Sequence, residues 1–208
     1  MEITVCQYIV FEIGNKRMEK NILAIAVGGC GNNIIQNLIN SHSTSGTDLF
    51  YIDADNFAVE KSSVHDKLAV SEQRNGCGGD QEFGRTIILD SKAAIMNKFD
   101  GYSKIVFIAG LAGGMAGTVP LMAEWAGQEN IFVTGTAIMP FEFEGPQKRE
   151  NAETTFEKWK NSLKMIFVLE NDKLCKLAEC LKLNIPMDDL DAFFNIPEII
   201  DGISRYTR

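Results

Sequence analysis

The chain has 208 residues, 45% of them hydrophobic, which is enough for one well-packed core. Twenty Lys and Arg against 28 Asp and Glu leave a formal net charge of -8, and this excludes a broad nucleic-acid surface, because neutralising phosphates needs clustered basic side chains. Any anion site has to be local.

The chain opens with MEITVCQYIVFEIGNKR, alternating and acidic where a secretory leader would be basic and then apolar, so the reading is cytoplasmic. Residues 3–12 (ITVCQYIVFE) are expected as a strand, paired antiparallel with the next one or lying at an edge, and residues 1–20 as an N-terminal strand extension. Further strands are expected at 21–27 (NILAIAV), 48–52 (DLFYI), 67–70 (KLAV), 104–109 (KIVFIA), 131–137 (IFVTGTA) and 164–169 (KMIFVL). Helical stripes lie between them: Ile34, Ile35, Leu38 and Ile39; then Ile87, Ile88, Ala94 and Ile95; then Leu121, Ala123, Trp125 and Ala126. The run IVFIAGLAGGMAGTVPLMA is broken by glycines and by Pro120, so membrane insertion is not expected. After the last strand come helical patterns, NDKLCKLAECLKL, MDDLDAFF and PEIIDGISRY, with Pro197 suited to a first helical turn. Cys6, Cys30, Cys77, Cys175 and Cys180 are odd in number and scattered, the pattern of reduced thiols.

Alternating strands and helices predict an α/β fold, a parallel Rossmann-like sheet with helices on both faces, as one domain over 21–208 with no second domain. Such a sheet binds ligands outside the carboxyl ends of its strands. Three loops there are rich in glycine. AVGGCGNNII carries Gly28, Gly29 and Gly31 from strand straight into helix, where backbone amides can meet an anion. Asp53 and Asp55 close the next strand, at about the distance from the first loop where a ribose-binding acid sits. In NGCGGDQEFGR, Gly79 and Asp80 stand before a helix, where the acid could simply cap it. AGLAGGMAGT follows the 104–109 strand, so two glycine loops would present amides to one crevice. FEFEG places Glu142 and Glu144 in a turn with Lys148 and Arg149 behind, a solvated turn or a sugar-binding carboxylate. Asn171 could read a base edge or cap the next helix. His42 and His65 are too few for a histidine metal site, no metal-ligand spacing is evident, and no nucleophile elbow surrounds a serine.

In order, these segments resemble the nucleotide-binding domain of the FtsZ/tubulin family, the FtsZ branch more than eukaryotic tubulin, from about Ile22 to Arg208. AVGGCGNN is similar to the family's first phosphate loop, and DADNFAVEKS to its NTDAQALKNS. GGDQEFGR is similar to ADPEVGR, AGLAGGMAGT to the AGMGGGTGTG signature, and PFEFEGPQKRENAE to PFSFEGKRRMKQAE. ENDKL is similar to PNDKL, and LDAFF to the DAF that opens the central helix. The resemblance implies GTP or GDP as ligand, with Mg²⁺ accompanying it. It assigns Gly28, Gly29, Cys30, Gly31, Asn32 and Asn33 to the phosphates, together with Gly110, Ala112, Gly113, Gly114, Met115, Ala116, Gly117 and Thr118. Asp55, Gly79 and Asp80 fall beside the phosphates, Glu144 and Arg149 near the ribose, and Asn171 and Phe193 at guanine, Phe193 offering a stacking face.

The sequence also departs from the family pattern. Ala112, Met115 and Ala116 replace glycine, threonine and glycine, one residue is missing before Pro120, and Pro197 stands where the family carries the acid or amide that pairs with guanine. The family's water-positioning loop follows the central helix, and the chain ends near that point, so hydrolysis by the chain alone is expected to be absent or very slow. The leading expectation is a divergent FtsZ-like protein acting through contacts with itself or with a full-length FtsZ-like partner. The alternatives are a GTPase completed in trans by a partner's loop, and an α/β protein specific for another nucleotide.

Overall fold

The computed structural model describes residues 22–41, 46–72 and 76–173. The expected 3–12 strand, the helices after residue 173, Pro197 and Phe193 lie outside the described residues. Within them, six strands form one parallel sheet: β1 (Ile22–Val27), β2 (Asp48–Asp53), β3 (Asp66–Ala69), β4 (Lys104–Gly110), β5 (Phe132–Met139) and β6 (Met165–Glu170). Their order is β3-β2-β1-β4-β5-β6, and every neighbouring pair is parallel. Each strand begins and ends within about two residues of its expected position, because the apolar runs are bounded by glycine, proline and charge.

Parallel strands need crossovers, and six helices provide them: α1 (Gly28–Asn40), α2 (Asn56–Lys61), α3 (Gln81–Asp90), α4 (Lys92–Phe99), α5 (Val119–Gln128) and α6 (Pro146–Ser162). The stripe read through Ile87 to Ile95 is divided between α3 and α4 at Ser91, whose amide bonds back to the Ile88 carbonyl. Alternate residues of β1 serve opposite faces. Leu23, Ile25 and Val27 pack with Phe107 and Phe50 under Ile88, Ile95, Met122, Trp125 and Trp159, so α3 to α6 cover one face. Ala24 and Ala26 pack with Val106 and Tyr51 under Ile34, Ile35, Leu38 and Val59, so α1 and α2 cover the other. Burial on both sides explains why all six residues of β1 are apolar where a one-sided strand would alternate. Among the described residues no helix is long and apolar enough to cross a membrane.

The register brings the carboxyl ends level: Val27 lies beside Ile52 and Ala109, and Gly110 beside Ile138. Strand order reverses between β1 and β4, so the loops after these two strands diverge to opposite faces and leave a crevice between them.

Candidate functional site

That crevice is a cleft of about 420 Å³, within the size range of small-molecule sites. Its first wall is the start of α1. Helix α1 follows β1 without a linker, Val27 occupies the cap position and has no side chain able to cap, and the first turn carries no acid. Its cap residue thus offers the leading amides no side-chain acceptor, unlike the caps of α2 and α3. Asp55 accepts from Phe57 N and Ala58 N, and Asp80 from Glu82 N and Phe83 N, at 2.9 to 3.1 Å. Both acids cap helices, and neither lines the cleft.

The second wall is the stretch after β4. The amides of Leu111, Gly113 and Ala116 bond to the carbonyls of Ile138, Gly110 and Gly113, so among the described residues those of Ala112, Gly114 and Met115 are what this loop can offer a ligand. A 3-10 turn over Gly114–Thr118 follows and leads into α5, with Pro120 in its first turn. This turn is anchored from behind. Trp159 Nε1 donates to the Ala116 carbonyl at 3.0 Å, and the Thr118 hydroxyl to the Met115 carbonyl at 2.7 Å.

Of the residues assigned by resemblance, Gly28, Gly29, Cys30, Gly79, Gly110, Ala112, Gly113, Gly114, Met115, Ala116, Glu144 and Asn171 line this one cleft. Gly31, Asn32, Asn33, Asp55, Asp80, Gly117, Thr118 and Arg149 are not part of its lining. Physical reasons are visible for each. A Cβ on Gly31 would stand 2.2 Å from the Ile108 carbonyl oxygen, so this glycine lets α1 lie against β4. A Cβ on Gly117 would meet Gln81 Cβ at 2.8 Å, a packing requirement between the turn and α3. Asn32 is buried and accepts from Ser62 Oγ at 2.7 Å, while Asn33 is exposed on the outer side of α1. The fully buried Thr118 has its hydroxyl committed to its own turn, so it does not supply the donor that Met115 displaces.

Arg149 pairs with Glu153 at 3.1 Å, one turn along α6, whereas Lys148 lines the cleft and holds Glu144 Oε2 at 2.7 Å. Glu144 Oε1 accepts the Phe141 amide, which closes the turn ahead of α6. The i,i+4 spacing of Glu144 and Lys148 was the available signal for this pair. Lys148 is the one cation lining the cleft among the described residues.

Sequence reasoning assigned no role to Cys77, Gly78, Met139 and Pro140, which also line the cleft, and placed Asp53, which lines it too, at about the distance of a ribose-binding acid. Asp53 is buried, 6% exposed, and its carboxylate accepts the Tyr51 hydroxyl at 2.7 Å and the Ala54 amide at 2.7 Å. Burial raises its pKa above the ordinary carboxylate value, against the lowering effect of those hydrogen bonds. Tyr51 is driven upward by the same burial and by its bond to Asp53. The Cys77 thiol is pushed up to about 11, by desolvation first and then by the charges of Asp53 and Asp80.

A parallel α/β sheet with a glycine-walled cleft at its switch point is the architecture of a nucleotide-binding domain. The family model described as the Tubulin/FtsZ family, GTPase domain, matches residues 21–179, and the chain belongs to that family. It is 30% identical over 188 residues to the cell division protein FtsZ of Aquifex aeolicus, covering 88% of this chain and 50% of that protein. To the FtsZ of Methanothermobacter thermautotrophicus it is 29% identical over 167 residues, covering 78% and 44%. Among solved structures, an empty FtsZ dimer from M. jannaschii superposes with a TM-score of 0.72 at 22% identity, covering 96% of this chain and 56% of that one. CetZ2 from Haloferax volcanii, solved as a GTPγS-bound protofilament, gives 0.71 at 21% identity, covering 89% and 56%. The chain thus spans about half the length of the curated relatives it matches.

Proposed function

We propose that the cleft binds a guanine nucleotide, with the phosphates between the start of α1 and the Gly110–Met115 loop, the sugar toward Glu144 and Lys148, and the base toward Asn171. The observation that carries this reading is the bare N-terminus of α1 at the cleft: its cap residue Val27 has no side-chain acceptor, its first turn has no acid, and Gly28, Gly29 and Cys30 line the cleft. Family membership supports guanine over other bases, as does the GTPγS-bound state of the CetZ2 structure. Among the described residues Asp53 and Glu144 line the cleft with only Lys148 to offset them, so the phosphates need a further counter-charge. Among the described residues no cluster of three His, Cys, Asp or Glu side chains forms a metal cage. Mg²⁺ fits this site as an ion held mainly by the nucleotide, offsetting phosphate charge.

Little hydrolysis is expected from these residues alone. Activating a water requires a positioned base, and the two carboxylates of the cleft are engaged, Asp53 by Tyr51 and its own loop, Glu144 by the Phe141 amide and Lys148. The cleft mouth, with Gly29 and Cys30 exposed and Phe143 68% exposed nearby, is the surface we assign to contact with another copy or an FtsZ-like partner. Nucleotide extracted from the purified protein, and calorimetric titration with GDP, GTP and ATP, test the binding. Guanine nucleotides should bind and ATP should not, and a protein that takes up neither guanine nucleotide would overturn the reading. Phosphate release that rises on adding a two-domain FtsZ would identify hydrolysis completed in trans.

A further inference from the structure

We infer that Met115 makes this cleft a site for nucleoside diphosphates and sets it against triphosphates, because its side chain bridges the loops where a further phosphate would have to lie. The inference rests on the nucleotide reading above. Met115 lines the cleft yet is only 4% exposed. Its Cβ lies 3.4 Å from a Cβ built on Gly28, so the two glycine loops are already in van der Waals reach through this side chain. On its other flank the Cys77 Sγ stands 3.6 Å from the Met115 Sδ, which brings the 76–80 loop onto the same corner.

Three loops therefore meet around one thioether. A phosphate entering that corner would give up water and gain no side-chain donor beyond the weak Cys77 thiol, an unfavourable exchange for an anion. The backbone cannot withdraw to make room, because the Met115 carbonyl is held by Thr118 and the next carbonyl by Trp159. Outward from this point the cleft is open: positions Gly29, Gly78 and Gly79 would each hold a Cβ with nothing within 4 Å. A nucleotide seated toward Asn171 thus reaches the amides of α1 with its inner phosphates and stops at Met115. Methionine is flexible, so the barrier is a matter of degree, which makes it measurable as a ratio.

The test is calorimetric binding of GMP, GDP and GTP, each with Mg²⁺, to the 208-residue chain and to Met115→Leu and Met115→Ala. The wild type should bind GDP about tenfold tighter than GTP. Met115→Leu, which keeps the volume, should preserve that ratio, and Met115→Ala should close it through a gain in GTP affinity. Equal or stronger binding of GTP by the wild type overturns the inference, as does an alanine variant that changes both affinities alike. Should Met115→Ala fail to fold, Cys77→Ala loosens the other side of the bridge and should move the ratio in the same direction, while an unmoved ratio counts against it. Guanine nucleotides that bind without regard to phosphate number sink this inference alone; no binding by any form sinks the nucleotide reading with it.

Discussion

The indole of Trp159 donates its hydrogen to the carbonyl of Ala116, 3.0 Å away, and so ties the turn behind the second glycine loop to helix α6 across 43 residues of sequence. Trp159 is fully buried, and it lies under Gly135 of β5, where a Cβ would approach its ring at 2.7 Å. Replacing Trp159 with Phe keeps most of the apolar volume but leaves the Ala116 carbonyl without its buried donor. A loss of about 1–3 kcal/mol in urea denaturation is expected. Nucleotide binding should weaken as well, since the loop that borders the cleft loses its anchor.

Two glycines of the first loop should behave oppositely. Gly31→Ala drives a Cβ toward the Ile108 carbonyl, and helix α1 must move off the sheet, so a destabilisation of at least about 1–3 kcal/mol is expected. Gly29→Ala meets nothing within 4 Å and lies in a helix, so stability should be unchanged or slightly raised. Its effect should fall on the ligand alone, as weaker binding in the same calorimetric assay.

Lys148 and Arg149 separate two readings of the sugar side. Lys148→Ala removes the one cation lining the cleft among the described residues and should weaken nucleotide binding about tenfold. Arg149→Ala removes an outward ion pair with Glu153 and should leave binding within about twofold of the wild type. The reverse order would place the ligand against Arg149.

Asp53 should impose a pH dependence on stability. Its folded pKa lies above the ordinary carboxylate value of about 3.9, so the native state holds this proton more tightly than the unfolded chain does. Stability from this group is therefore greatest below about pH 3.9 and is lost as pH rises through the folded pKa. Asp53→Asn keeps an acceptor for the Ala54 amide, and its NH2 can donate to the Tyr51 hydroxyl oxygen, all without the buried charge, so it should be more stable than the wild type at neutral pH. The advantage should shrink on acidification, as read from denaturation midpoints at several pH values.

The two thiols of the cleft should differ in reactivity. Cys30 is exposed in the first turn of α1, whereas Cys77 is partly buried with its pKa pushed up to about 11. Alkylation at pH 8, followed by peptide mass spectrometry, should label Cys30 well before Cys77. Bound nucleotide should slow the labelling of Cys30.

The amino-acid sequence by itself determined the sheet and its class. Strands buried on both faces carry unbroken apolar runs, and their ends are marked by the residues that break them, so β1 to β6 were legible within a residue or two. The position of the site followed, since parallel order places the loops after β1 and β4 at one edge. Tertiary structure alone decided which residues of those loops face the cleft. Gly31, Gly117 and Thr118 sit inside the motifs that suggested binding, yet neighbours distant in sequence, Ile108 and Gln81, account for the two glycines, and the Met115 carbonyl for the threonine. Lys148 in place of Arg149 was decided by the angle at which α6 meets the sheet, a difference of one residue and about 100° on the helix. The same contacts fixed Met115 between the loops. A motif specifies where the backbone turns; which side chains remain for chemistry depends on what the other elements pack against it.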